Sequence, residues 1–402
     1  MRQYFLFELQ SFSRNKKNLA VVILLVIAAL YYTLIVVPDY QPNERINERE
    51  TQKEHDSMVY WMENREGEGI SSGAQFALAY FPTLIEIDAQ RLEALEQEDY
   101  KAYTEWTSQW YEYEDIWTFG SPYFLSYSPV YYGTNQDYPH EEGSYWYRET
   151  AHRYNQYAKS GIDITPNILE ERTALQNSYR LLNNPVIAII LIAVVVIYAN
   201  DIVTKDRKHL SITKSFPLSF SGKLWTKTFV VLATSAATFL GLFLLIFLVV
   251  GMQYGFGAFE IPITVFKRVI SEGRGTFETI SLGTFFIQAL ILFSLTVYLF
   301  TRMIILFSLL VRNEFFNLLA GMALIFTERL YYMRGIGFFS NVDLLPPTFF
   351  PVGQVLSGYQ NHLYNSSEIT FQNGAISLTV AILLIELILF IVTRFKKVRN
   401  FI

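Results

Sequence analysis

The sequence predicts an all-α polytopic membrane protein with six transmembrane helices, an N-terminal interfacial helix, and a mostly helical extracellular domain between helices one and two. Of its 402 residues, 51% are hydrophobic and only 17% are charged, whereas soluble domains carry about 25% charged residues. The apolar residues lie in blocks of roughly 20, which is the helix length that crosses a bilayer core of about 30 Å. Charge is also uneven, because residues 38–183 contain 26 acidic and 11 basic residues, whereas the rest of the chain contains 11 and 21.

The basic residues set the predicted orientation. They cluster before the first apolar block, in the loop 200–228 and in the tail 393–402. Short basic segments beside membrane spans stay in the cytoplasm. We therefore predict that both termini are cytoplasmic and that residues 38–183 lie outside, which fits a bacterial plasma membrane. The chain has no cysteine, so disulfides and thiolate sites are excluded.

The first segment has the pattern of an amphipathic helix. Phe5, Leu9 and Phe12 recur at helical spacing, and basic residues surround them. Such a helix lies in the membrane interface with its cations toward anionic headgroups; a short leader into the first span is the alternative.

The remaining segments follow in chain order. They are the interfacial helix 1–18, transmembrane helix one at 19–37, the extracellular helical domain 38–183, helix two at 184–199, the cytoplasmic coupling loop 200–228, helices three to six with outer re-entrant segments at 229–392, and the basic tail 393–402. Within 229–392 the predicted spans are 229–251, 284–311, 315–333 and 375–392. Between the first two of these, the segments 259–266 and 269–270 are apolar enough to dip into the membrane interface.

Five large rings recur at spacings of three and four in the extracellular domain, which places them on one helix face. They are Tyr103, Trp106, Trp110, Tyr113 and Trp117. Two interpretations remain open. The rings pack the domain's own core or rest on the lipid interface, where Trp and Tyr concentrate, or they form a surface that receives an amphipathic cargo.

No motif for catalysis or nucleotide binding is present. The run Phe220-Ser-Gly-Lys223 looks like the end of a phosphate-binding loop, but Pro217 stands where its first glycine belongs and Leu224 where a hydroxyl belongs. The five histidines are scattered without metal-ligand spacing. We therefore predict no enzyme activity and no metal site in this chain.

Among the charged residues inside predicted spans, where a charge is costly, three are candidate functional residues. They are Arg302, Glu328 and Glu386. Glu386 is 11 residues into the sixth span, roughly 16 Å deep. These side chains either pair between helices or line a cargo path. Because proton coupling needs a carboxylate of this kind, a proton-coupled transporter that uses Glu386 is an alternative function.

Three segments together resemble a known family. They are the amphipathic start at 2–17, the loop from Asp206-Arg-Lys-His-Leu through Pro217-Leu-Ser219 to Gly222-Lys223, and the outer segment Leu344-Leu-Pro-Pro347 to Gly358. The order of these elements is similar to that of the permease subunits of bacterial ATP-binding-cassette exporters, the type-2 six-span permeases. The long segment 38–183 resembles the subset of that family with a large extracellular insert.

The resemblance implies a function. The chain would be the membrane subunit of an ATP-driven exporter of an amphipathic cargo such as a peptide, a lipid-linked molecule or a drug. Its partners would be a cytoplasmic ATPase subunit, which holds ATP and Mg, and a second permease copy or paralogue among membrane lipids, without nucleic acid. The implied coupling residues are Asp206, Arg207, Leu210, Ile212, Phe216 and Pro217. A membrane sensor or assembly scaffold with a ligand-binding extracellular domain is the alternative.

Overall fold

The chain folds as a mostly helical protein. The structure, a computed structural model, describes residues 2–64, 71–121, 125–132, 138–209, 215–268, 274–331 and 341–394. The longer helices are α1 (Arg2–Ser13), α2 (Lys16–Asp39), α3 (Glu48–Glu63), α4 (Ser72–Glu96), α5 (Tyr100–Gly120), α6 (Pro139–Lys159), α7 (Ala174–Asn183), α8 (Pro185–Ala199), α9 (Phe220–Tyr254), α10 (Leu282–Leu310), α11 (Glu314–Ile325) and α12 (Phe371–Val392).

Five of these helices are long and apolar enough to cross a bilayer. They are α2, α8 with its continuation to Asp206, α9, α10 and α12. In the most apolar 18-residue stretch of α8 and of α10, 56% of the residues are buried. In the corresponding stretches of α2, α9 and α12, 17% are buried. The first two are therefore central and the other three peripheral. Their exposed apolar faces fit a lipid surround, which is consistent with a multi-pass membrane protein.

The predicted span 315–333 is the exception. Its helix α11 has 12 residues, which is about 18 Å and short of a bilayer core of about 30 Å. The helix ends before Phe326, and a separate short helix covers Thr327–Tyr331. The hydroxyl of Thr327 donates to the carbonyl of Leu324 at this break. The last two residues of the predicted span lie outside the described residues.

Two ends of the bundle follow from the chain direction. At the loop end lie α1 and the connection between α8 and α9. Helix α8 ends there and α9 begins there at Phe220. The domain end carries α3 to α7, which we call the helical domain. The domain ends in a short helix, Pro166–Leu169, followed by α7, whose first turn is capped by Thr173.

A two-stranded hairpin departs from the all-α prediction. Strand β1 (Pro262–Lys267) pairs antiparallel with β2 (Thr276–Ser281), and Pro262 lies opposite Ser281. Within the segment 259–266, the strand residues lie against α6 of the helical domain, and its predicted dip into the membrane interface stays a prediction. The dip at 269–270 lies outside the described residues.

The outer segment before α12 is compact. Its described part forms short helices at Val342–Leu344, Pro346–Phe349, Val352–Leu356 and Tyr359–Tyr364. Gly358 joins the last two with a φ of 73°, and a Cβ there would lie 2.1 Å from the carbonyl oxygen of Phe266. Only glycine permits both this left-handed backbone and the close approach to β1.

Candidate functional site

The predicted coupling loop is shorter in the structure than in the sequence interpretation. Ser219 accepts a hydrogen bond from the backbone N–H of Gly222 at 3.1 Å and so caps α9. Serine is a favoured cap because its oxygen satisfies a free N–H of the first turn. Residues 220–228, predicted as loop, therefore form the first turns of α9. The connection is 200–219, with a 3₁₀ turn at Thr204–His209.

A buried group of charges joins this connection to α1 and α9. We call it the loop-end ion cluster, and its members are Glu8, Lys205, Asp206 and Lys227. The Lys227 ammonium lies 2.5 Å from Glu8 Oε1 and 2.9 Å from Asp206 Oδ1. It also donates to the carbonyl of Ile202 at 2.7 Å.

The arrangement satisfies the central cation. An ammonium has three donors, and Lys227 directs them at two carboxylates and one carbonyl. Lys205 adds a second cation 2.8 Å from Glu8 Oε2. Burial by itself raises the pKa of Glu8, but the charges of Lys227 and Lys205 outweigh it and hold that pKa below its usual value. The cluster therefore fixes α1 to the loop through ion pairs, while Oδ2 of Asp206 is buried without a hydrogen-bond partner among the described residues.

Aromatic and polar contacts extend the same attachment. The ring of Phe216 lies 5.0 Å from Tyr4 and 5.4 Å from Phe7, centroid to centroid. At the start of α2, Lys17 pairs with Asp201 at 2.8 Å. The loop is thus held by both N-terminal helices.

The predicted coupling residues fall into three groups. Asp206 is buried against α1 at 2% exposure, and Phe216 is half-buried with its ring against Tyr4 and Phe7 of α1. Pro217 is exposed. Leu210, Ile212 and the side chain of Arg207 lie outside the described residues. Their predicted contact with an ATPase stays a prediction.

Two of the predicted intramembrane charges form a pair. The guanidinium of Arg302 on α10 meets the carboxylate of Glu386 on α12 at 2.5 Å (Nε–Oε1) and 2.7 Å (Nη2–Oε2). Tyr298 donates to the same carboxylate at 2.9 Å. From α9, Thr228 accepts from Arg302 at 2.9 Å, and the ring of Trp225 lies 4.5 Å from the guanidinium. The pair connects α9, α10 and α12.

The third charge is elsewhere. Glu328 accepts from the hydroxyl of Tyr364 at 3.1 Å and from Gln360 at 3.4 Å. It therefore attaches the short helix after α11 to the outer segment. All three charges stand out in the sequence, but the sequence does not predict which of them meet.

The aromatic stripe lies along the interface between α4 and α5. Tyr113 and Trp117 lie 5.7 Å and 5.6 Å from the ring of Tyr80. Tyr103 and Trp110 lie beneath the Arg91 guanidinium at 5.7 Å and 5.3 Å. Tyr103 is buried, while the four others, Trp106 among them, are half-buried. Four of the five rings therefore contact side chains of the helical domain itself.

A carboxyl in this domain was not singled out from the sequence. Burial raises the pKa of Glu114 to about 7, and the negative charges of Asp88 and Glu54 add to the rise. The Tyr80 hydroxyl, which donates to Glu114, and the Arg91 charge oppose it. The approach of these three acids, one each on α3, α4 and α5, gives no sequence signal, because it depends on how the helices pack.

The domain end has its own attachment, which the sequence analysis also missed. We call it the domain-end contacts, made by α6 with the hairpin and the helix Tyr359–Tyr364. Arg148 donates to the carbonyls of Arg274 at 2.9 Å and Gly275 at 2.6 Å. His152 lies 2.9 Å from the hydroxyl of Thr279. The run Thr-Phe-Glu-Thr-Ile at 276–280, rich in β-branched residues, is the signal that predicts such a strand.

Comparison with known proteins adds no relative. No family model, no curated protein and no solved structure matches the chain. Function is therefore argued from the two attachments, the intramembrane pair and the sequence.

Proposed function

We propose that the chain is the membrane-spanning subunit of an ATP-driven exporter in a bacterial plasma membrane, with the loop end in the cytoplasm. A separate ATPase would dock on the connection 200–219, and a second permease copy would complete the transporter. The observation that supports this proposal most directly is the loop-end ion cluster, because it holds Lys205 and Asp206, in the described part of the connection, against α1 and α9. A purely solvating loop needs no such buried charges.

A path for mechanical coupling starts at that surface. The cluster connects the loop to α9 through Lys227, and two residues of α9, Trp225 and Thr228, touch Arg302. Arg302 in turn holds Glu386 on α12. A partner that pushes the loop would therefore move α9 against α10 and α12, and such a displacement can reorient spans around a cargo path.

The cargo is proposed to be amphipathic. The sequence contains no motif for ATP hydrolysis. The energy for transport would therefore come from the ATPase partner. The intramembrane pair favours this proposal over a proton-coupled transporter, because protonation of Glu386 would leave the Arg302 cation without its carboxylate.

The test is affinity purification of the tagged full chain in mild detergent, with an ATP hydrolysis assay on what is recovered. We expect a stoichiometric partner with ATPase activity. The Leu210→Asp variant should lose the partner, because a charge replaces an apolar docking side chain. The matched control is Leu344→Asp, a 66% exposed leucine at the domain end, which should keep it. A lone chain without hydrolysis, or loss of the partner from both variants alike, would contradict the proposal.

A second candidate function is a membrane sensor whose helical domain detects an external condition. The observation that favours it is Glu114, whose pKa of about 7 lets the domain change charge near neutral pH. A pH-dependent response of the purified chain in the absence of any ATPase would support the sensor.

A further inference from the structure

A groove lies between α1 and α9 at the loop end. It has a volume of about 410 Å³ and is lined by Arg2, Phe5, Thr226, Phe229 and Ala233. The two walls are held together by the Glu8–Lys227 pair of the loop-end ion cluster. The groove is therefore a fixed feature of the packed helices.

The lining is apolar with one cation. Phe5, Phe229 and Ala233 contribute carbon surface, and the hydroxyl of Thr226 is turned to the carbonyl of Gly222 at 2.8 Å. Arg2 is exposed and makes no ion pair with any residue in the part of the chain that the structure describes. The groove thus offers a long apolar surface and one guanidinium.

The position of the groove matches a membrane interface. Helix α9 is a candidate span, and its polar first turns give way to a mostly apolar stretch that begins at Phe229, which is 51% exposed. Two more cations, Arg14 and Lys16, are exposed at the same end. Basic residues at this level attract anionic headgroups, while apolar residues beside them meet acyl chains.

We propose that this groove binds one anionic phospholipid, with its phosphate on Arg2 and an acyl chain along Phe5, Phe229 and Ala233. The cation beside an apolar surface in the groove complements a phospholipid, which has an anionic phosphate beside its acyl chains. A guanidinium pairs with phosphate through two parallel N–H donors. The inference goes beyond the proposed function and does not depend on it, because its readout is lipid and not ATP hydrolysis.

The experiment is native mass spectrometry of the purified full chain in detergent. Dioleoylphosphatidylglycerol and dioleoylphosphatidylcholine are added in equal amounts. One basic residue near a membrane surface corresponds to a preference of about fivefold for the anionic lipid. We expect the unaltered chain to retain one phosphatidylglycerol with at least that preference.

Three variants locate the site. Arg2→Gln should bring the preference close to one, because it removes the cation and keeps the apolar walls. Ala233→Phe, at an exposed position, should fill the groove and reduce retention of both lipids. Arg14→Gln is the matched control, since it removes an exposed cation that does not line the groove, and should lower the preference far less than Arg2→Gln.

Other results overturn the proposal. Equal retention of both lipids by the unaltered chain would show that the groove does not select charge. An unchanged preference in Arg2→Gln, or full retention in Ala233→Phe with the melting temperature unaltered, would place the lipid elsewhere. Displacement of the lipid by millimolar inorganic phosphate would show that a free anion and not a lipid is recognised.

Discussion

The two ends of the bundle are attached by different chemistry. At the loop end, one buried ammonium, Lys227, pairs with two carboxylates, so the buried charges of the attachment are centred on one group, with the Phe216 ring contacts and the Lys17–Asp201 pair beside it. At the domain end, contacts are spread over Arg148, His152 and the rings around Tyr145. Loss of one partner from a buried ion pair leaves an uncompensated charge, whereas loss of one contact among many costs little. The loop end should therefore respond sharply to single substitutions and the domain end weakly.

The largest effect is expected for Lys227→Met. The variant leaves the carboxylates of Glu8 and Asp206 buried without their cation, which costs about 3–5 kcal/mol. Helix α1 should then separate from the loop, and its backbone amides should exchange hydrogen about a hundredfold faster or more. Hydrogen exchange with mass spectrometry measures this change. Lys205→Met is the control, because its side chain is 21% exposed and its loss should matter less. Unaltered protection of α1 would contradict the concentrated attachment.

The next effect concerns the intramembrane pair. Arg302→Met leaves Glu386 charged between spans, at a cost of about 3 kcal/mol. The melting temperature of the full chain in nanodiscs should fall. The double variant Arg302→Met with Glu386→Gln removes both charges and should recover most of the loss. A double variant that melts no higher than the single one would show that the pair does not carry the stability.

A smaller effect is expected from pH. The folded pKa of Glu114, about 7, exceeds its unfolded value of about 4.3. The folded state therefore binds more protons between these values, and the stability of the helical domain falls as pH rises through this range. The loss is about 2 kcal/mol after allowance for the solvent that reaches this half-buried group.

Glu114→Gln tests this account. The substitution keeps an oxygen that accepts from Tyr80 and removes the titration, so the domain should gain stability at pH 8 and little at pH 4. Tryptophan fluorescence during unfolding reports on it, because five of the six tryptophans lie in the helical domain. An equal gain at both pH values would contradict the role of the charge.

The smallest effect is expected for Arg148→Met. Two hydrogen bonds to backbone carbonyls are lost, at a cost of about 1 kcal/mol, while His152 and the surrounding rings keep the hairpin in place. Hairpin amides should exchange only about fivefold faster. Arg45→Met, an exposed arginine paired with Glu50, is the control. A loss of hairpin protection as large as that of α1 in Lys227→Met would remove the difference between the two ends.

The sequence predicted what depends on local pattern. Runs of apolar residues located the five long spans, because a bilayer requires about 20 apolar residues in helical form. The charges of Arg302 and Glu386 were visible because they interrupt such runs. The sequence does not show that these two charges pair, because pairing depends on how α10 and α12 are rotated against each other.

The same limit applies at both ends. Glu8 lies in the segment predicted to rest in the membrane interface, and only packing shows that it meets Lys227, 219 positions away. The hairpin was missed because its strands are short and their partner α6 is distant in sequence. The loop was predicted too long because its end depends on a single capping serine.

Affinity purification of three tagged chains tests the central claim most directly, namely that the loop fixed by Lys227 is where an ATP-hydrolysing partner docks. The three are the unaltered chain, Lys227→Met and Arg148→Met. The account predicts that the first and third recover the partner and its ATP hydrolysis, while the second loses both although it remains folded in the membrane. Equal recovery with Lys227→Met, or no ATPase with any chain, would contradict it.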